Sequence, residues 1–471
     1  MSIQSDTKQL YFQGLGPRKV VADFDGGTLT SDAGGLLLRE TDLAFGIIDN
    51  FTKCFTDYRK QEAIEHPLRQ LAAQRVFGIC LGYEDLNDHE QLRYDPAIAA
   101  LCGRVDVEGR DREREEDKGK ALAGKSTLDR FESAGEDVGP KSRYKKIIYD
   151  RSRCERFFVN HFLRRYNSGR QPGQIILDLD ATDDPLHGKQ EGRFFHGFYN
   201  CYCYLPLYIF CDDYLLAAKL RPSDIDAAQG ADEELERIVA HIREVWPKAK
   251  IVVRADSGFC REWLMSWCEE NGVEYLFGIA RNKRLRVAIE SEMDQARELH
   301  KESGKAARIY KDFQYRTLDS WSCSRRVIGK AEYLDGGENP RFVVTSLSSK
   351  RWPATRLYEE LYCARGEMEN RIKEQQLYLF ADRTSSATMR ANQLRLWFSS
   401  VAYVLMNELR QVALAGTELA RAQCHTIRLK LLKIGARVTV SVRRVVIHMA
   451  GGYPYQRLFH TALGRIQAAG T

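Results

Sequence analysis

The sequence contains no run of 18 or more apolar residues, the length a helix needs to cross a bilayer, so no membrane span is expected. Its opening, MSIQSDTKQLYFQG, lacks a basic start followed by an apolar stretch, and no secretion signal is expected from it. Twelve cysteines are present but never as CxxC; the closest pair is Cys201 and Cys203. That spacing argues against a thiolate zinc site and for reduced thiols in a cytoplasmic protein. Neither Asp nor Glu occurs from Arg421 to Thr471, where nine Lys or Arg stand. The stretch from Lys141 to Arg170 is nearly as lopsided, with ten basic residues against two acids. Because the whole chain carries only +6, the remainder is net acidic. Two basic stretches that look folded point to a polyanionic partner, and nucleic acid suits them better than a membrane surface.

With 471 residues, 44% hydrophobic and 29% charged, the chain has material for two or three cores. Residues 18–30, RKVVADFDGGTLT, read as a strand, a turn at Gly26-Gly27 and a second short strand, with a helix through Ala33–Ala44. Residues 60–101 are helical in pattern. The mixed-charge stretch 103–120 has no core face and reads as a loop or mobile arm. A basic helix over 141–166 would close a mostly helical N-terminal region (1–170) suited to binding DNA ends. From Gly173 the texture turns to α/β: a buried strand ending at Asp180, aromatic runs 194–199, 202–211 and 214–220 forming an antiparallel meander, and a helix over 227–245. A strand ending near Asp256, a helix and a strand over 275–280 follow.

Three strands, then helix, strand, helix, strand is the order of the ribonuclease-H-like fold, in which the first and fourth strands are neighbours. A mixed α/β core of that kind is therefore expected over 171–281 and 351–415, interrupted by a β-rich insertion at 282–350 and followed by a basic tail at 416–471.

The stretch Leu357–Leu377 reads as one helix. Leu361, Ala364, Met368 and Ile372 fall on its buried stripe, and Tyr362, Arg365, Glu369, Lys373 and Gln376 on a second stripe beside it. For an arbitrary helix such a face is a solvated one laced with ion pairs. Here Asp180 in LDLDAT, Asp256 in VVRADSGF and Tyr362-x2-Arg365-x3-Glu369 together resemble the catalytic set of DDE transposases of bacterial insertion sequences, in the branch with a Tyr-Arg-Glu-Lys signature. The likeness runs over roughly residues 18–415.

The resemblance implies a transposase that cleaves DNA at transposon ends and joins the 3′-hydroxyls to target DNA. Its catalytic and metal-binding residues would be Asp180, Asp256 and Glu369. Three carboxylates can hold two Mg²⁺ ions about 3.5–4 Å apart, with Mn²⁺ as a substitute, and Asp180 would bridge them. Double-stranded DNA, both terminal inverted repeats and target, is the implied partner, bound by a homodimer in the bacterial cytoplasm at the nucleoid. Tyr362, Arg365, Lys373 and Gln376 would contact phosphates, although the signature places Lys where this chain has Gln376. Trp321 or Trp352 could stack on a flipped base, each reading otherwise as a core or surface aromatic, and Arg443 and Arg444 of the tail would bind DNA. Asp178 is read as facing the opposite side of the sheet, and His187 and His196 as hydrogen-bonded loop residues.

Two other readings stand beside this one. A catalytically inactive, DNA-binding relic of a transposase would keep the basic surfaces without the chemistry. Val20–Gly26 also resembles the start of a haloacid-dehalogenase phosphatase, with Asp23 and Asp25 as its acids, but Gly27 intervenes before Thr28.

Overall fold

The computed structural model describes residues 9–470. The chain forms two compact units, one of residues up to Ile148 together with Val401 onward, the other Tyr149–Ser400. No described helix is long and apolar enough to cross a membrane.

The second unit is built on a nine-stranded mixed sheet. We label its main strands β1 (Gln174–Ala181), β2 (Leu207–Cys211), β3 (Tyr214–Lys219), β4 (Lys250–Ala255), β5 (Glu274–Ile279), β6 (Ala307–Tyr315), β7 (Arg325–Leu334) and β8 (Arg341–Thr345). In space they run β3-β2-β1-β4-β5-β8-β7-β6, with the two-residue strand Gly337–Glu338 beside β7. β1 is antiparallel to β2 and parallel to β4, which is parallel to β5. Helix α1 (Ala231–Val245) connects β3 to β4, and α2 (Glu262–Glu270) connects β4 to β5.

Both faces of this sheet are covered, which is why β1 and β4 read as near-continuous apolar runs. Ile175, Leu177 and Leu179 of β1 with Ile251 and Val253 of β4 pack on one side against Leu235 and Ile238 of α1 and Leu264 of α2. Val252 and Leu276 face the other side, against Leu357, Tyr358 and Leu361. That second side carries the helical run Ala354–Tyr378, whose regular α-helical part is α3 (Gly366–Lys373). Wider π turns at Leu357–Tyr362 and Glu374–Tyr378 flank α3. A tighter 3-10 turn at Cys363–Arg365 lies between the first π turn and α3, and there Ala364 is exposed while Leu361, Met368 and Ile372 stay buried. Helix α4 (Met389–Glu408) follows.

Several elements differ from the sequence expectation. The aromatic meander is divided: β2 and β3 join the large sheet, while Phe194–His196 and Cys201–Tyr204 form a separate sheet with Asp184–Pro185. The segment 282–350 opens with two helices, Lys283–Ala288 and Glu290–Ser303, and its strands extend the main sheet through β8. The basic helix begins only at Arg151, preceded by the strand Ile147–Tyr149.

In the other unit, strand Arg18–Ala22 pairs with Leu10–Leu15 across Gly16-Pro17 rather than turning at Gly26-Gly27. The charged stretch 103–120 is tied down: Arg112 is buried, donating to Glu65 and to the Lys120 carbonyl, and Arg104 pairs with Asp111. The C-terminal residues belong to this unit as well. Strands β9 (Ala436–Ser441) and β10 (Arg444–Met449) form a hairpin, joined at its base by Leu29–Thr30. At Gly34 a Cβ would lie 1.9 Å from the Leu431 carbonyl oxygen, so only glycine permits that approach.

Candidate active site

The strand register alone brings the first two acids together. Arg254 of β4 lies opposite Asp178 of β1 and Ala255 opposite Leu179, so the next residues in line are Asp256 and Asp180, at the ends of adjacent parallel strands. The Asp256 Oδ1 accepts from the Gly258 backbone N–H at 2.8 Å, capping the short turn Ser257–Phe259. Asp180 Oδ1 accepts from the Ala181 N–H at 3.1 Å. Glu369, on α3, is linked to Asp180 through Arg365, whose guanidinium reaches both carboxylates. Burial pushes the Asp180 carboxyl up to about 7; Arg365 opposes this, and the charges of Asp256 and Glu369 push it further up. Crowded negative charge of this kind favours a proton, or any other cation, at Asp180.

Arg365 is the cation already present. Its Nη2 donates to Glu369 Oε1 at 2.6 Å, and Nη1 lies 3.8 Å from Asp180 Oδ1 without a hydrogen bond of its own. Tyr362 comes up beside Asp256 because Gly278 of β5 has no side chain. A Cβ at Gly278 would stand 2.6 Å from the Tyr362 hydroxyl and 3.0 Å from the Ser257 nitrogen. Burial raises the Tyr362 phenol, with Asp256 adding to the effect and Arg365 opposing it. Lys373 is exposed.

Three cross-links hold the Glu369 helix to the strand ends. Arg254 donates to the Leu361 carbonyl. Arg371 pairs with Asp213, in the β2–β3 turn, at 2.6 Å. Gln376 Nε2 donates to the Asp183 carbonyl and to Asp184 Oδ1, both at 3.0 Å. Gln376, expected at a phosphate, thus has its amide nitrogen engaged by the loop that follows Asp180. Asp184 is fully buried, its carboxyl pushed up to about 8 by burial against the lowering effect of Gln376.

Two further expectations need correction. Asp178 does not face away from Asp180, since residues two apart in a strand share a face. It lies on the same side, 3% exposed, and its carboxylate takes both Arg254 Nε (2.5 Å) and Nη2 (2.7 Å). Trp321 is a core residue, 5% exposed, with its ring 5.7 Å from that of Tyr315 and the Arg325 guanidinium 5.6 Å away. So placed, it has no free ring face for a base. His187 is exposed, and His196 packs its ring 4.9 Å from Tyr199. Asp23 and Asp25 follow the exposed Leu10–Ala22 hairpin, where Phe24 is also exposed, and not the end of a buried strand.

Sequence reasoning missed Arg254, Gly278 and Tyr199. Tyr199 donates to the Ala181 carbonyl at 3.4 Å, and its phenol is pushed up to about 12 by burial first and then by Asp183, Asp180 and Asp256. A signal existed for Gly278, since glycine inside a strand marks a close approach. For Arg254, an arginine inside the otherwise apolar run IVVRA required a buried partner.

The donor set fits a hard divalent cation in its chemistry: Asp180, Asp256 and Glu369 offer only carboxylate oxygens, the donors that Mg²⁺ and Mn²⁺ prefer. Among the described residues no three acidic, His or Cys side chains already form a metal-holding group. The Arg365 guanidinium instead supplies the positive charge beside Asp180 and Glu369.

The family model for the transposase DDE domain group 1 matches residues 12–471. The chain belongs to that family. None of the curated proteins matches this DDE transposase. Among solved structures, a cryo-EM structure of the piggyBac transposase synaptic complex with hairpin DNA aligns with a TM-score of 0.41 and 13% identity, covering 86% of this chain and 80% of that one.

Proposed function

We propose that this transposase cleaves DNA strands at transposon ends and transfers the freed 3′-hydroxyls to target DNA, with Asp180, Asp256 and Glu369 as its catalytic acids. The observation that carries the reading is two aspartates on neighbouring parallel strand ends, with Glu369 tied to Asp180 through Arg365, 2.6 Å from Glu369 and 3.8 Å from Asp180. The strand sequence β3-β2-β1-β4-β5, with only β2 antiparallel to both of its neighbours, supports a ribonuclease-H-like core. The same three carboxylates would hold Mg²⁺ or Mn²⁺, which when bound supplies Lewis-acid polarisation of the phosphate and eases deprotonation of the nucleophile.

In the first step a water oxygen bonds to phosphorus while the bond from phosphorus to the 3′-oxygen breaks, leaving a 3′-hydroxyl and a 5′-phosphate. In the second step that hydroxyl attacks a target phosphate and a target 3′-oxygen leaves. Asp180 is the acid on which the negative charges of both Asp256 and Glu369 act. Arg365 exchanges its contacts with Asp180 and Glu369 for a phosphate oxygen of the DNA, and Lys373 and Tyr362 reach adjacent phosphates. Gln376 acts through the loop after Asp180 and fixes where Glu369 stands relative to it. A homodimer would hold the two ends in one complex.

The test is cleavage and joining, with Mg²⁺ or Mn²⁺, of a duplex carrying the inverted repeats that flank the gene. Activity should vanish in Asp256→Ala and persist in Asp23→Ala; the reverse pattern would overturn the assignment of the catalytic acids. Wild-type protein that binds the duplex yet never cuts or joins it would be the inactive relic.

A further inference from the structure

We infer that the hairpin β9–β10 is a DNA-reading ribbon that lies in the major groove, an assignment that rests on the transposase acting on duplex DNA. The hairpin has two unlike faces. Its register pairs Ala436 with Met449, Val438 with Ile447 and Val440 with Val445 on one face, and Arg437 with His448, Thr439 with Val446 and Ser441 with Arg444 on the other. The first face packs inward at its base, where Ala436 and Val438 are buried, while Val445 nearer the tip is exposed. Ala436, Ile447 and Met449 join a small core with Ala33 and Ile434, and Val445 and Ile447 line a cleft with Leu36, Ala100 and Val105. All six residues of the second face are exposed.

The third strand covers only the base of the hairpin. Leu29–Thr30 pairs with Ala436 and Arg437, and the Val438 N–H reaches the Thr28 carbonyl at 2.8 Å. From Thr439 to Val446 the hairpin continues as a bare two-stranded ribbon, ending in a fully exposed Val442-Arg443 tip. The bare part, three residues of each strand, extends about 10 Å beyond the covered base, and a two-stranded ribbon fits a major groove about 12 Å wide.

The chemistry of the exposed face matches the groove rather than the phosphate rail alone. Arg437 and Arg444 stand at its two ends, able to pair with guanine O6 and N7. Between them Thr439 offers a hydroxyl, and Val446 a surface for a thymine methyl group. Arg443 at the tip is placed for a phosphate. Charge complementarity selects the occupant: no Asp or Glu lies anywhere from Arg421 to Thr471, and no carboxylate among the described residues pairs with Arg437, Arg443 or Arg444. An acid-free exposed face on a packed ribbon fits a polyanion with edges to read.

The experiment uses the full chain and the duplex carrying the flanking repeats, with guanine N7 reactivity toward dimethyl sulfate as the readout. Wild-type protein should protect a short block of guanines. Arg437→Ala/Arg444→Ala should lose that block and bind at least about tenfold more weakly, with an unchanged thermal midpoint because both side chains are exposed. Arg443→Ala should leave the block in place and lower the slope of log K against log salt by about 0.9. Unaltered protection and affinity in the double variant, while Asp256→Ala still abolishes cutting, would overturn the ribbon and leave the transposase chemistry standing. Weaker binding with N7 protection intact would overturn the groove assignment. A wild-type protein that binds no duplex would overturn both.

Discussion

Asp178 and Asp180 stand on the same face of one strand, two residues apart, yet end in opposite electrostatic conditions. Burial raises both carboxyls. At Asp178 the Arg254 guanidinium closes over both oxygens, and the pair is sealed beneath the Glu369 helix. At Asp180, two residues nearer the strand end, the charges of two other carboxylates act and the cation beside it, Arg365, is shared with Glu369. One position is a completed ion pair, so its contribution is structural. The other is left with excess negative charge, which is what a cation-assisted phosphoryl transfer requires. A displacement of two residues along a strand separates the buttress from the proposed reactive site.

The comparison can be broken from either side, and the largest effect belongs to the reactive position. Asp180→Asn is expected to reduce strand cleavage by about 4 kcal/mol in barrier, roughly a thousandfold, in single-turnover assays. Its thermal midpoint should hold or rise, because a crowded charge is removed. Asp178→Ala should do the converse. Leaving Arg254 buried without its partner costs about 3 kcal/mol of folding stability, read from the urea midpoint. If Asp178→Ala folds as stably as wild type but no longer cleaves, the division between the two aspartates is wrong.

A third variant probes the clamp at the far end of the helix. Gln376→Leu deprives the Asp183 carbonyl and buried Asp184 of a donor, a loss of about 2 kcal/mol. Cleavage should fall more than duplex binding does, and Asp184→Asn, which still accepts the Gln376 hydrogen bond, should lose less than Gln376→Leu.

Stability should also depend on pH through Asp184. Its folded carboxyl is raised from 3.8 to about 8, so the native state holds a proton that the unfolded chain releases. That contribution is fully present below 3.8 and is lost as pH rises through about 8. Within that window it changes by at most about 1.4 kcal/mol per pH unit, and Asp184→Asn should flatten the profile in thermal melts. The smallest effect is expected at Arg356–Glu360, an ion pair on the same helical run with both side chains more than half exposed. Glu360→Gln should move the thermal midpoint by less than about 0.5 kcal/mol in equivalent stability.

Much of the core could be read directly. Apolar runs ending in acids marked β1 and β4, and the order of strands and helices placed them side by side. Helical spacing put Arg365 and Glu369 on one stripe, and the structure pairs them at 2.6 Å. The extent of the sheet was less legible. Polar strands such as β6 carry no signal of which edge they will join, and the helix Glu290–Ser303 is largely exposed and polar, so its apolar stripe is thin. The aromatic runs at 194–211 looked like one meander because aromatics favour strands of any sheet, and nothing local told the two sheets apart.

The sequence by itself determined which groups are available: the three acids, their places at strand ends and on a helix, and the acid-free C-terminal stretch. These follow from periodicity and composition, which are properties of a single element. The tertiary structure alone decided how those groups are partnered. Arg254 closes on Asp178 from 76 positions away, Gln376 on Asp184 from 192, and Gly278 admits the Tyr362 hydroxyl. Partner choice depends on strand register and on the phase of a helix laid across a sheet. The Glu369 helical run also contains two π turns and a 3-10 turn, departures that no regular 3.6-residue repeat contains.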